Sequence, residues 1–216
     1  MFSLENFHHE YETDTRDIII NGKQFQFLVP GSIERFIDSE NLLHDFPLWA
    51  KIWHAGTVLA GHLSQLPVES GKRMLEIGCG IGLVGIVAAD AGHDVMATDY
   101  NAHALDFVRA NSLLNNCPRL KVSRLDWNKP HLENDYDYII GSEVVYREQD
   151  VQLLLKLFHK YLKPDGKIIL AEEMRKTISE FYRQMDPFYH VTIRKNILRS
   201  DSEENLVLLI EMHPHI

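Results

Sequence analysis

The residues best suited to chemistry lie in one run, Leu75-Glu76-Ile77-Gly78-Cys79-Gly80-Ile81-Gly82-Leu83. Alternate glycines behind an acidic residue let a backbone turn sharply and approach a ligand closely. Asp99 follows Gly78 by 21 residues and closes the apolar run Val95-Met96-Ala97-Thr98. A carboxylate there can accept from both hydroxyls of a ribose, as in dinucleotide-binding folds. The combination points to a nucleoside cofactor without choosing which. Gly80-x-Gly82-x-x-Gly85 also fits the dinucleotide fingerprint, a weak match by itself. Two more acidic positions close later apolar runs, in Asp126-Trp127 and in Glu143-Val144-Val145-Tyr146. A carboxylate accepts from amino groups and an aromatic plane stacks on a base.

These side chains need a scaffold that gathers strand ends. From Lys72 onward β-rich runs alternate with helical ones. Residues 74–77, 94–98, 121–125, 136–141 and 167–171 read as strands. Residues 83–91, 101–116, 148–162 and 173–185 read as helices, with Gly92 after the first and Asn101 capping the second. Lys163-Pro164-Asp165-Gly166 reads as a turn. Residues 189–197 and 205–212 read as two strands with no helix between them, hence an antiparallel pair. Upstream, Asn21-Gly22 centres a hairpin over 17–29. An amphipathic piece follows at 32–39, then a helical run to about residue 63. Strands alternating with helices imply right-handed βαβ units. The expected architecture is therefore α/β: a Rossmann-like, doubly wound, mostly parallel seven-stranded sheet with an antiparallel last strand. A hairpin and helical extension over 1–46 precedes a main domain over 47–216.

Composition excludes several functions. Apolar residues make up 45% and the formal charge is −9. That charge repels phosphate backbones, and no Lys/Arg cluster offsets it, so long nucleic acids are not expected partners. No window approaches 18 consecutive apolar residues, so no membrane span is expected. The acidic start does not read as a signal peptide. Two cysteines without C-x-x-C spacing imply a reducing compartment, and the expected location is cytoplasmic. Twelve histidines lack metal-binding spacing, so no metal is expected.

The E-x-G-x-G-x-G form at Glu76–Gly82 resembles the first motif of class I S-adenosylmethionine-dependent methyltransferases. Trp49-Ala50-Lys51-Ile52-Trp53-His54-Ala55-Gly56-Thr57-Val58-Leu59-Ala60 and Gly141-Ser142-Glu143-Val144-Val145-Tyr146 resemble the seven-β-strand lysine methyltransferase-like family. Within it, the stretch from Pro47 to Gly56 is most similar to the branch with electron-transfer flavoprotein lysine methyltransferase. The likeness covers about residues 47 to 175.

The resemblance implies S-adenosyl-L-methionine as cofactor. Trp53, Glu76, Gly78, Gly80, Gly82, Asp99, Tyr100, Asp126 and Trp127 form its expected binding set, with Asp126 accepting from the adenine amino group and Trp127 covering the ring. Glu143 and Tyr146 are the expected catalytic residues. Glu143 would orient the acceptor nitrogen through a hydrogen bond, and Tyr146 would pack beside it. Arg175, after the fifth strand, is a candidate for contacting an acidic substrate face, with a solvated surface arginine the favoured reading. The Glu-Val-Val-Tyr sequence, in place of the N/D-P-P-Y common in amino-directed DNA methyltransferases, argues against flipped-base chemistry. The implied reaction is in-line methyl transfer to a nitrogen of a protein side chain, lysine favoured. A small-molecule N-methyltransferase is the alternative, and a non-catalytic cofactor-binding module or a nicotinamide oxidoreductase are further readings.

Overall fold

A computed structural model describes residues 2–37, 46–133, 135–199 and 204–215. It opens with α1 (Leu4–Glu10), where Ser3 Oγ accepts from the Asn6 N–H and caps the first turn. The sequence reading contained no such helix. Strands β1 (Thr13–Ile20) and β2 (Lys23–Pro30) pair antiparallel, with Ile20 opposite Lys23. Asn21 and Gly22 between them have φ of 48° and 84°, the left-handed values a two-residue hairpin turn requires. The amphipathic piece expected at 32–39 is a single 3-10 turn, Glu34–Phe36. Residues 38 and 39 of that piece lie outside the described residues.

The alternating region follows as α2 (His54–Leu63), β3 (Arg73–Ile77), α3 (Leu83–Asp90), β4 (Asp94–Asp99), α4 (Ala102–Leu114), β5 (Lys121–Arg124), β6 (Tyr136–Ser142), α5 (Glu148–Tyr161), β7 (Leu162–Glu173), α6 (Lys176–Met185), β8 (Tyr189–Arg199) and β9 (Glu204–Pro214). The large sheet has seven strands in the order β5-β4-β3-β6-β7-β9-β8. The first five are mutually parallel. β9 runs antiparallel to both its neighbours, β7 and β8. The last strand in sequence is thus the reversed one, slotted between two earlier strands.

Successive residues of the central strands enter opposite cores. Met74, Tyr138, Ile140, Ile169 and Leu209 join the core under α2, α3 and α4. Leu75, Ile77, Ile139, Ile168 and Leu170 join the one under α5 and α6. Side chains alternate across a strand, so a sheet covered on both faces needs apolar residues at every position. That explains the unbroken runs Tyr138-Ile139-Ile140 and Ile168-Ile169-Leu170.

One local expectation is corrected. Residues 163–166 do not form a turn that precedes the strand. Leu162 already pairs with Tyr136, and Lys167 pairs with Tyr138, so the segment bulges out inside β7. Three residues along β6 face six along β7, and Pro164, which has no N–H to give, sits in the bulged part.

The N-terminal hairpin is tied to the main sheet through α4. Asn111 Oδ1 accepts from the Leu28 N–H at 2.7 Å, and its Nδ2 donates to the carbonyls of Leu28 (3.1 Å) and Ile81 (3.0 Å). One turn later, Asn115 repeats the pattern on Gln26, accepting from its N–H at 3.0 Å and donating to its carbonyl at 2.7 Å. Two asparagine amides therefore stand in for a neighbouring strand along the edge of β2 and satisfy its backbone groups. Asn111 is fully buried. Asn111→Ala leaves three buried backbone groups unpaired, so it is expected to destabilise the fold by roughly 2–4 kcal/mol, read as a lower urea midpoint at unchanged slope.

Candidate active site

The chain runs outward from β3 to β4 and β5, then returns to place β6 on the other side of β3. Connections on either side of β3 therefore leave in opposite directions, and a crevice opens beyond the strand ends. The cleft there has a volume of ≈ 460 Å³, in the range of small-molecule sites. Segments after β3, β4, β5 and β6 line it, together with residues 46–53 and Gly56.

The glycine loop is held by Asp99. Gly80 N–H donates to Asp99 Oδ2 at 2.9 Å, and Asn101 N–H donates to Oδ1 at 2.9 Å. Burial raises the Asp99 carboxyl above its usual range, and the backbone N–H donors oppose that shift. Each carboxylate oxygen has two lone pairs, so both can still accept from a ligand. Gly80 has φ of +53°, and a Cβ there would lie 3.0 Å from the Trp49 carbonyl oxygen. Only glycine fits between that carbonyl and the cleft. A Cβ on Gly78 would lie 3.1 Å from Val144 Cγ1, so the loop after β6 closes over the glycine loop from the other side.

Gly78, Gly80, Asp99, Tyr100, Asp126, Trp127, Trp53, Glu143 and Tyr146 line the cleft. Glu76 and Gly82 do not; they shape the wall from behind. The Glu76 carboxyl is buried and turned toward Gly85 on α3, where a Cβ would collide with its Oε2. Burial, with the Asp99 charge added, pushes Glu76 well above the usual carboxylate range. Gly82 packs against Val108 and Ile86.

Along the rim, Asp126 Oδ1 accepts from the Asn128 backbone N–H at 2.8 Å and its side-chain Nδ2 at 3.1 Å. These bonds hold the carboxyl below its usual range. Tyr100 is 60% exposed, with the Arg124 guanidinium 4.7 Å from its ring centre. Trp53 Nε1 donates to the Leu48 carbonyl at 2.9 Å, which fixes the indole at the start of α2.

The loop after β6 departs furthest from expectation. Glu143 has φ of 54°, which is uncommon and costly for a residue with a side chain. Its N–H donates to the Ala171 carbonyl at 2.9 Å, and its Oε1 accepts from the Glu173 N–H at 2.7 Å. Its other oxygen pairs with Arg175. The Glu143 carboxylate is thus engaged by β7 and the residues after it. Arg175 is correspondingly not a solvated surface residue. Glu172, absent from the sequence reading, is fully buried, and its Oε1 accepts from the N–H groups of Val144 (2.8 Å) and Val145 (3.2 Å). Burial pushes its carboxyl up to about 8. Tyr146 follows at the mouth, and burial beside Glu172 and Glu173 raises its hydroxyl.

A family model described as lysine methyltransferase matches residues 45–187. EEF1A lysine methyltransferase 3 of Mus musculus is 34% identical over 145 residues, 64% of this chain and 62% of that protein. Histone-arginine methyltransferase METTL23 of Mus musculus is 32% identical over 129 residues, 54% of this chain and 49% of that protein. The matches thus span between about half and three fifths of these relatives. Among solved structures, P. horikoshii TYW2 in complex with MeSAdo superposes with a TM-score of 0.60 at 16% identity, over 92% of this chain and 70% of that one, a likeness of fold. Among the described residues, no helix is long and apolar enough to cross a membrane.

The buried Glu172 carboxyl generates a pH prediction. Its folded value of about 8 stands above the ordinary 4.5. Between those values the folded chain keeps a proton that the unfolded chain has released, so stability is lost as pH rises through that window. Glu172→Gln accepts the same two N–H groups without titrating. Its urea midpoint relative to the wild type is expected to improve steadily from pH 5 to pH 8; parallel profiles would show that Glu172 does not titrate there.

Proposed function

The chain belongs to the lysine methyltransferase family, and on that premise we propose that it methylates a nitrogen of a protein side chain, lysine first, using S-adenosyl-L-methionine. The observation that carries the reading is the juxtaposition across one cleft of the Asp99–Gly80 pair with Tyr146. The chain's residues fit the cofactor. Gly78 and Gly80, both at positive φ, line the cleft and form its floor. The Asp99 oxygens retain acceptor capacity for ribose hydroxyls. Asp126 and Trp127 line the same cleft, suited to an amino-bearing base, and Trp53 lines it too.

When bound, S-adenosyl-L-methionine supplies a methyl group on a sulfonium, a good leaving group. The protein's task is then to align the nucleophile, and orientation supplies most of the catalysis. A lysine with pKa about 10.4 is neutral only about once in 10³ at pH 7. The half-buried mouth at Tyr146 disfavours the ammonium form by desolvation, which raises the neutral fraction. Glu143, held by Arg175 and the Glu173 N–H, acts by shaping this mouth. Arginine as the acceptor is the second reading, supported by the name of the METTL23 relative. The two buried, free cysteines support a reducing compartment, the cytoplasm. The charge of −9 favours a protein partner over a long nucleic acid.

Incubation with methyl-tritiated S-adenosyl-L-methionine and cell extract tests the reading. A discrete labelled protein band is expected that disappears with Tyr146→Ala and without enzyme, and its hydrolysate should contain methyl-lysine. Methyl-arginine would move the acceptor to the second reading. Label confined to the low-molecular-weight fraction would make the protein a small-molecule methyltransferase.

A further inference from the structure

We propose that Arg175 is a positioning residue of the methyl-transfer site, holding the Tyr146 ring at the cleft mouth by bridging it to Glu143. The proposal rests on the reading of the cleft as a methyl-transfer site. Arg175 comes two residues after the end of β7 and occupies the N-cap position of α6. Its guanidinium pairs with Glu143 and lies 4.9 Å from the centre of the Tyr146 ring. One group therefore touches both expected catalytic residues, from an element neither belongs to.

The anchor is rigid. Glu143 is 4% exposed, and three contacts fix it: its N–H on Ala171, its Oε1 on the Glu173 N–H, and Arg175 on its other oxygen. The left-handed backbone at Glu143 persists because these contacts over-determine it. The next two N–H groups, of Val144 and Val145, are held by Glu172, and Thr177 Oγ1 donates to the Val145 carbonyl at 3.2 Å. Tyr146 is the first residue beyond this stapled segment, and Arg175 is the cation that reaches its ring. Burial lowers the Arg175 pKa, yet guanidinium stays charged throughout the accessible range. A planar guanidinium can pair with a carboxylate while stacking on an aromatic face. A lysine ammonium keeps the charge without the plane.

The bridge also separates charges at the mouth. Glu143 lines the cleft, and without a partner its charge would stabilise the unreactive ammonium form of an amine bound there. Paired with Arg175, that charge is cancelled, and the amine meets an aromatic ring instead.

The test uses protein with ring-¹³C tyrosine, with the Tyr146 resonance assigned by its loss in Tyr146→Phe. Arg175→Met leaves the buried Glu143 charge without its partner, so Glu143→Gln/Arg175→Met, which removes both charges, is made alongside. The Tyr146 resonance is expected to shift in both variants and to return partway in Arg175→Lys. The initial rate of labelling of the extract's acceptor band should fall at least about tenfold in Arg175→Met, while the Kd for S-adenosylhomocysteine stays within about twofold. An unmoved Tyr146 resonance, an unchanged rate, or an equal loss of S-adenosylhomocysteine binding would each overturn the proposal. If the wild type labels no protein at all, the functional reading falls, and the ring resonance still decides whether Arg175 holds Tyr146.

Discussion

The reversal of strand order between β3 and β6 is the constraint on which the rest of the structure depends. It opens a crevice where no loop has to cross, and it brings two loops from distant parts of the sequence face to face. The glycine loop follows one strand and the segment from Glu143 to Tyr146 follows the other. They approach through Gly78 and Val144, where a Cβ on Gly78 would lie 3.1 Å from Val144 Cγ1. Such a Cβ, on a residue already at a positive φ, would press on Val144 and force one loop to shift.

Four buried or half-buried carboxyls surround this point, and each is accommodated differently. Glu76 lies beneath α3 and is pushed toward its neutral form. Asp99 accepts from two backbone N–H groups. Glu143 takes a backbone N–H and an arginine. Glu172 takes the two N–H groups of Val144 and Val145. Burying a carboxylate is costly unless it is paired or hydrogen-bonded. Asp99, Glu143 and Glu172 each hold a segment that lines the cleft, so their burial is tied to fixing its walls. Glu143 and Glu172 also work reciprocally: one reaches from the β6 loop to the end of β7, the other from β7 back to the β6 loop.

The parts legible in the sequence were those with a local signature. Gly78, Gly80 and Asp99 declare themselves by spacing after strands, and Asn21-Gly22 declares its hairpin. The alternation of β and α runs identified the doubly wound sheet. The pairing of Glu143 with Arg175 was not legible, because it depends on which strands become neighbours and how their ends register. Residues 32 apart in sequence meet only because β6 and β7 pair in parallel. Glu172 hides for the same reason: an acidic pair, Glu172-Glu173, at the end of an apolar run gives no hint that two N–H groups await its first member. Glu76 and Gly82 belong to the motif, yet they stand behind the wall, since motif membership does not say which side of the loop a residue faces. The α1 helix escaped because its apolar residues are few, and Phe7 packs on a distant partner, Phe107.

The central claim is that the switch-point cleft holds S-adenosyl-L-methionine on Asp99. Titration calorimetry with S-adenosylhomocysteine tests it most directly, comparing the wild type with Asp99→Ala and including NADH as a second ligand. The account expects saturable one-to-one binding by the wild type, weakened at least about tenfold in Asp99→Ala through loss of charge-assisted hydrogen bonds, and no binding of NADH. Equal affinity in the two proteins, or saturable binding of NADH with none of S-adenosylhomocysteine, would contradict it.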